Sequence, residues 1–179
     1  MKKLTLAAAV LLAGLASLGA QQEQVLEVQQ SSGFVEALIG NLGWRQAVIG
    51  RQMPAGSVVT SWIGAAAKMS YRDTLVSMEQ FTHFTVLDVE PALVRLSVES
   101  GSVRVDCPTT AYELEFRGMV IRVEKGSAIL NDGVLSAESG SVVVNGAQDQ
   151  PLSVAPGTSI DLLKKSFGPI FRTEIPDGF

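Results

Sequence analysis

Few residues in this chain could support acid–base or nucleophilic catalysis. The sequence has one histidine, His83, and one cysteine, Cys107. Hydrolysis through a serine or cysteine requires a nucleophile, a base and a group that orients the base. The alternating run around His83 places it opposite the apolar Phe84, on a solvated strand face. Ser102 and Ser141 also lack the flanking glycines of a nucleophile elbow, so we expect a protein that is not an enzyme.

The sequence also offers no set of metal or cofactor ligands. A single histidine and a single cysteine cannot complete a zinc site. The Asn-Asp-Gly run at 131–133 lacks the later carboxylates of a calcium loop. The glycines are spread singly, and none leads into a helix as a phosphate loop requires. We therefore expect no cofactor and no metal.

Paired carboxylates are the one catalytic arrangement left open, because any two can meet in a folded chain. Glu113 and Glu115 project from the same face of a strand. They lie beside an apolar face, so we interpret them as ordinary solvated exterior. A carboxylate-based hydrolase is the least favoured of three function hypotheses.

Aromatic residues are the candidates for binding. Trp44 and Trp62 could form a sugar platform or a partner interface, although aromatic residues of a small β domain more often pack in the core. We retain Trp62 as a binding candidate. Phe167 and Phe171 join it because the tail at 164–179 contains prolines and phenylalanines but no alternation long enough for a central strand. This tail either packs back onto the domain, the commoner outcome, or is exposed and binds a partner.

The single cysteine restricts covalent cross-linking. With only Cys107 present, no intramolecular disulfide can form. Cys107 follows Asp106 and precedes Pro108 at the end of an alternating run. We favour a buried, inert thiol, and the alternative is a disulfide to another chain.

The elements that must position these residues are short β-strands. Apolar and polar residues alternate with a period of two in 94–98, 112–116 and 119–123, as in half-buried strands. Glycine turns separate such runs: Asp-Gly at 132–133 suits a tight hairpin, and Asn-Gly closes the run 142–144. The sequence therefore predicts an all-β fold of many short, mainly antiparallel strands in a sandwich or β-roll.

One motif occurs twice. Residues 99–105 read Glu-Ser-Gly-Ser-Val-Arg-Val, and residues 138–144 read Glu-Ser-Gly-Ser-Val-Val-Val. In both copies a glycine turn is expected to launch a strand. The spacing to a looser copy at 124–128 is irregular, which excludes a solenoid repeat but is compatible with similar strand pairs stacked in a roll.

The N-terminal residues have the layout of a secretory signal peptide. Residues 1–20 begin with two lysines, continue as an apolar stretch and end in small residues. Cleavage is expected after Ala20, with Gly19 as the alternative, and an uncleaved anchor is the less favoured reading. No cysteine stands directly after the apolar stretch to accept a lipid, so we expect a protein free in the periplasm or outside the cell, not a lipoprotein. Residues 21–30 are interpreted as a spacer or the lead-in to a first strand.

The charge of the chain disfavours two classes of partner. The formal net charge is −4 at pH 7, and the basic residues form no cluster. Nucleic acids and anionic lipids both attract basic surfaces, so neither is expected as a partner. No later stretch approaches the length of a membrane span.

Several stretches of the mature chain together resemble the FecR domain family. They share that family's turn glycines and apolar strand positions, and Trp44 belongs to the same pattern. The matching stretches are residues 32–35, 44–50, 53–60, 64–69, 101–105, 117–118 and 152–157. The resemblance covers most of residues 31–163, which we therefore expect to form one FecR-like β domain.

The resemblance implies an extracytoplasmic module. The proteins that gave the family its name are transmembrane signal transducers with a cytoplasmic segment, for which the expected signal peptide leaves no room here. We expect a non-catalytic interaction or scaffolding module of the bacterial cell envelope, bound to another envelope protein through a sheet edge or the tail. The alternative hypothesis is a domain that binds a small ligand or a polysaccharide through Trp62.

Overall fold

The chain folds almost entirely into β-strands. A computed structural model describes residues 24–146 and 150–164, and the backbone of 171–172. Within these ranges there are sixteen strands, one short 3-10 turn at Gly40–Leu42 and no α-helix. The expectation of an all-β fold is therefore confirmed. The expected signal peptide, residues 1–20, lies outside the described ranges.

The strands are short except for two long neighbours late in the chain. They are β1 Leu26–Ser32, β2 Val35–Leu38, β3 Trp44–Gln46, β4 Gln52–Met53, β5 Val58–Ser61, β6 Ala66–Tyr71, β7 Thr74–Met78, β8 His83–Val89, β9 Leu93–Ser100, β10 Ser102–Cys107, β11 Ala111–Phe116, β12 Met119–Asn131, β13 Val134–Asn145, β14 Leu152–Val154, β15 Thr158–Asp161 and β16 Phe171–Arg172. The described residues contain no helix that is long and apolar enough to cross a membrane.

Alternation of side chains explains why these segments are strands. In β10, Val103 and Val105 are fully buried, whereas Arg104 between them is exposed. Such a segment gains most by lying flat on a core with one face in water. The same period of two runs through β8, β9 and β11, so the sheet separates an apolar inner face from a polar outer face.

The long strand β12 joins two wings of one sheet. One edge of β12 pairs with β13 along its length. The other edge pairs first with β11 and then, beyond residue 125, with β10. The first wing has the order β11-β9-β8-β5-β2-β3, and the second has β10-β7-β6-β1-β4. The pairs are antiparallel except for β9 with β11, the one parallel pair among the described strands.

The sheet is curled, so that its two ends approach each other. The end strands β3 and β4 are consecutive in the chain and are joined by residues 47–51. This connection touches both wings: the Ala47 amide donates to the Val35 carbonyl of β2, and the Gly50 amide donates to the Val28 carbonyl of β1, each at 2.8 Å. The result is a curled mixed sheet of half-barrel form.

The bend in the β12–β13 hairpin depends on close contact between two glycines. The register of the pair shifts between Glu124 and Ser127, as at a β-bulge. A bulge of this kind bends the strand that contains it. A Cβ atom on Gly140 would lie 2.6 Å from Gly126 Cα and 2.5 Å from the Lys125 carbonyl oxygen. Only hydrogen atoms fit between the two backbones at this point, which is also where the partner of β12 changes from β11 to β10.

The core lies between the two wings and is lined by both. Tyr112 of β11 is its largest fully buried side chain, and Phe84 of β8 is also fully buried. The Tyr112 hydroxyl lies 3.2 Å from Thr74 Oγ1, at the start of β7 in the other wing. This hydrogen bond links the wings and satisfies a polar group that would otherwise be buried without a partner.

The buried Tyr112 hydroxyl predicts a loss of stability at high pH. Burial raises the pKa of Tyr112 well above its ordinary value. A group whose pKa is raised on folding contributes its full stability below the unfolded pKa, about 10 for tyrosine, and loses it as the pH rises further. We expect the free energy of unfolding, measured with urea, to fall more between pH 9 and 11 for the natural protein than for Tyr112→Phe. Parallel pH curves for the two proteins would contradict this.

Three expectations about particular residues can now be compared with the fold. Strand β1 begins at Leu26, so the segment 21–30 leads into the first strand, the second of the two alternatives given for it, and its second half belongs to that strand. Leu26 and Val28 are fully buried, which explains why this part of the chain belongs to the sheet. Cys107 is buried and its Sγ lies 3.2 Å from the Gly126 carbonyl oxygen, as a structural thiol requires. In the tail, the backbone of residues 171–172 pairs with β15.

Candidate functional site

Five turns lie side by side at one end of the curled sheet, and we name this surface the turn ridge. Antiparallel order brings alternate connections to the same end. The ridge comprises residues 33–34, 62–65, 79–82, 100–102 and 131–134. Hydrogen bonds join each turn to the next: Trp62 N to Phe34 O at 3.1 Å, Gly64 N to Gln80 Oε1 at 2.9 Å, Thr82 Oγ1 to Ser102 O at 3.1 Å, and Gly101 N to Asp132 Oδ1 at 2.9 Å.

Large apolar side chains project into solvent from three adjacent turns of the ridge. Phe34 is 50% exposed, Trp62 52%, Ile63 77% and Phe81 58%. The rings of Phe34 and Trp62 contact each other, with centroids 6.4 Å apart. A lone exposed apolar residue is ordinary, but a contiguous group marks an interaction surface.

Trp62 is held in place although it is exposed. Its Nε1 donates to Glu36 Oε2 at 3.3 Å, and its backbone amide donates to the Phe34 carbonyl. It follows the buried Ser61 at the end of β5, so alternation directs it outward. Trp44 is likewise 45% exposed, on the end strand β3. The expectation that tryptophans pack in the core is therefore wrong for both.

Phe81 adopts a backbone conformation that costs a bulky residue free energy. Its φ angle is 59°, in the left-handed region that glycine and asparagine tolerate best. The turn is fixed by the Thr82 amide, which donates to Ser61 Oγ at 3.0 Å, and by Ser100 Oγ, which donates to the Phe81 carbonyl at 3.4 Å. Burial offers little compensation for a side chain that is mostly in solvent. Such backbone outliers concentrate at functional sites.

A groove of about 340 Å³ lies between Trp62 and Phe81. Its walls include His83 and Glu99, whose Nε2 and Oε2 atoms are 3.7 Å apart. The hydroxyl of Ser61, also in the lining, is committed to backbone partners, donating to the Glu79 carbonyl and accepting from Thr82. The arrangement therefore suits binding: apolar faces on two sides and a carboxylate at the rim.

A different face of the first wing carries alternating charges. Arg95 of β9 lies 2.6 Å from Asp88 of β8, and Arg122 of β12 lies 2.8 Å from Glu113 of β11. Arg95 and Glu113 are register partners, so the four residues form a row across four strands. The Arg95 guanidinium bonded to Asp88 lowers the pKa of that carboxyl. Glu113 is thus engaged with arginine, and Glu115 on the same face is exposed.

A second exposed apolar group lies on the connections near the sheet ends. Leu42 is 58% exposed, Val48 45% and Ile49 70%. They line an open groove together with Val25 and Pro54. This group is aliphatic and is formed by the loops next to the short end strands, away from the turn ridge.

Sequence reasoning identified only part of this site. Trp62 was a binding candidate, and its turn lies between those of Phe34 and Phe81 in the exposed aromatic group. Phe167 lies outside the described residues, and for Phe171 only the backbone, in β16, is described. Phe34 and Phe81 were missed. For Phe34 a usable signal existed, since it directly follows the turn residue Gly33; Phe81 has no glycine beside it and gave none.

The comparisons with known proteins reach the fold and no further. No protein-family model matches the chain, and no curated protein matches it. Two solved structures from Parabacteroides distasonis ATCC 8503, each provisionally described as an anti-sigma factor, have a TM-score of 0.51 with this chain at 14% and 13% identity. Each match covers 62% of this chain and 57% of the other. The chain therefore shares a fold with little more than half of those proteins.

Proposed function

We propose that the protein is a non-catalytic interaction module of the bacterial cell envelope that holds a protein partner on the turn ridge. The observation that carries the proposal is the group of exposed aromatic side chains Phe34, Trp62 and Phe81 on adjacent turns. Aromatic residues dominate the binding energy of protein interfaces, usually from a well-packed centre with a polar rim. Glu36 and Glu99 supply such a rim beside the aromatic rings.

The ridge is also suited to binding because it is already ordered. Association costs free energy when side chains or loops must be immobilised. Here the turns are tied to one another, and the Trp62 indole is tied to Glu36. A partner would gain the apolar contact area at a small ordering cost.

The expected location and family agree with this role and remain proposals. The signal-like residues 1–20 favour the periplasm or the exterior. The FecR resemblance favours an extracytoplasmic module. The fold is shared with proteins described as anti-sigma factors, which supports a regulatory binding role over an enzymatic one.

Co-purification from the native envelope tests the proposal. The tagged protein and its Trp62→Ala variant would be cross-linked, purified and compared by quantitative mass spectrometry. Trp44→Ala and Ile49→Ala are the controls, because they remove exposed apolar side chains elsewhere. We expect one envelope protein to fall about tenfold in recovery with Trp62→Ala alone, and to bind the natural protein when both are purified. Equal recovery with Trp62→Ala would refute the role of the ridge.

The second candidate function is binding of a small ligand or polysaccharide in the groove. Trp62 offers a ring for stacking, and Thr60 and Ser100 line the same groove with hydroxyl-bearing side chains. Cell-wall fragments and envelope polysaccharides would then change the fluorescence of the natural protein but not that of Trp62→Phe. No change with any glycan would exclude this function. A carboxylate-based hydrolase has less support, because Glu113 is bonded to Arg122.

A further inference from the structure

We infer that the groove between Trp62 and Phe81 receives a cationic segment of the partner polypeptide, in which arginine side chains enter the groove. The inference rests on the proposed function and adds the chemistry of the partner. It follows from two properties of this surface: the aromatic walls of the groove, and carboxylates in and beside it that lack a lysine or arginine partner among the described residues.

The walls offer aromatic faces to a cation. Trp62 and Phe81 flank the groove and are each about half exposed, so their rings remain open to a ligand. A guanidinium or ammonium group within about 6 Å of a ring centroid is attracted by the negative face of the ring, most strongly for tryptophan. Arginine is favoured over lysine because its planar group stacks on a ring while its N–H groups reach a carboxylate.

Glu99 in the groove wall and Glu36 beside Trp62 are carboxylates without a lysine or arginine partner in the ranges that the structure describes. The Glu99 side chain is 63% exposed, and its one ion-pair contact is to His83, at 3.7 Å. Glu36 accepts a hydrogen bond from Trp62, a neutral donor, which leaves its charge uncompensated. Within the described part of the chain, neither carboxylate forms an ion pair with lysine or arginine. Asp88 and Glu113, in the row of charges across the first wing, are both paired with arginine.

The carboxylates at the groove differ from those paired with arginine on the strands, and this difference indicates that the group that binds in the groove is positively charged. Several carboxylates on the outer faces of strands, among them Asp88, Glu124 and Glu138, are paired with arginine of the chain itself. At the groove that neutralisation is left to an incoming group. An acidic segment would be repelled there, and a neutral glycan would leave both charges unused.

Peptide binding to the protein purified from its native host tests the inference. The probe is fluorescein-labelled (Gly-Arg)4 amide, compared with (Gly-citrulline)4 amide, which keeps the planar shape of the side chain but replaces the charged guanidinium with a neutral ureido group. We expect the arginine peptide to bind about tenfold more tightly by fluorescence anisotropy, and its affinity to fall with added salt. Glu99→Gln should weaken it about fivefold and Trp62→Ala about tenfold.

Matched variants separate a site from general attraction to an acidic protein. Glu115→Gln removes an exposed carboxylate on the outer face of β11, and Trp44→Ala removes the other exposed indole; both should leave binding within about twofold of the natural protein. Equal binding of the citrulline peptide would overturn the inference, as would an equal loss with Glu115→Gln. If the arginine peptide fails while partner recovery still depends on Trp62, the inference falls and the proposed function stands.

Discussion

Alanine in place of Gly140 should leave much of the protein unfolded at urea concentrations where the natural protein is still folded. The new Cβ would lie 2.5 Å from the Lys125 carbonyl oxygen and 2.6 Å from that of Glu124. Both are backbone atoms of β12, so they cannot move away without breaking the pairing that joins the wings. Overpacking typically costs about 1–3 kcal/mol, and a left-handed φ costs a non-glycine residue about 1–2 kcal/mol more. The sum is a large part of a typical domain stability of about 5–15 kcal/mol.

Gly157→Ala provides the matched control, because Gly157 has the same φ of 76° and open space around its missing Cβ. It should show only the backbone cost, about 1–2 kcal/mol. Urea denaturation followed by circular dichroism gives both values. A loss for Gly140→Ala no greater than that for Gly157→Ala would mean that backbone crowding at the bend is unimportant.

Phe81→Gly should weaken partner binding roughly thirtyfold without weakening the fold. Glycine relieves the left-handed strain of about 1–2 kcal/mol, offset by about 0.5–1 kcal/mol of extra chain entropy in the unfolded state. The side chain is 58% exposed, so little burial is lost. The free energy of unfolding should therefore stay level or rise by up to about 1.5 kcal/mol. Loss of a central aromatic contact should weaken binding by about 2 kcal/mol, roughly thirtyfold.

Arg117→Gly is the control for the backbone effect. Arg117 has a φ of 49° in the turn between β11 and β12, outside the turn ridge. The Arg117→Gly variant should gain stability for the same backbone reason as Phe81→Gly, but it should leave partner binding unchanged. The two effects are measured by thermal unfolding and by binding to the purified partner. Partner affinity that survives Phe81→Gly, or a fold that collapses with it, would contradict the account of Phe81 as a strained contact residue.

The strands were predictable because their signal is local. Alternation in 94–98, 112–116 and 119–123 identified parts of β9, β11 and β12, and burial follows the same period. The Asp-Gly pair at 132–133 forms the expected tight hairpin, with positive φ at both residues. In each case, a few neighbouring side chains decide the conformation whatever the rest of the chain does.

The repeated motif shows where local reasoning fails. Gly101, in the first copy, lies between β9 and β10 as expected. Gly140, in the second copy, lies inside the continuous strand β13, because β12 pairs with that strand on both sides of the bend. The same Glu-Ser-Gly-Ser sequence thus forms a turn in one place and a bulge in the other. The partner strand decides, and its position depends on contacts distant in sequence.

The candidate site was predicted only in part for a similar reason. Trp62 could be suspected from its residue type alone. Phe34 and Phe81 come from turns far apart in the chain and meet Trp62 only because the wing order β2-β5-β8 brings those turns together. The FecR resemblance, the location and the absence of catalysis stay predictions.

The shared strand β12 also determines when the protein can finish folding as the chain emerges, N-terminus first, into the compartment where it folds. Until Met119–Asn131 has emerged, β10 and β11 each have one edge without its native partner. Nascent chains with open strand edges are prone to aggregate, and sheets that depend on distant pairings fold slowly. Folding of this protein therefore cannot be completed before the β12–β13 hairpin is available. Chains truncated before Asn131 should need a chaperone to stay in solution.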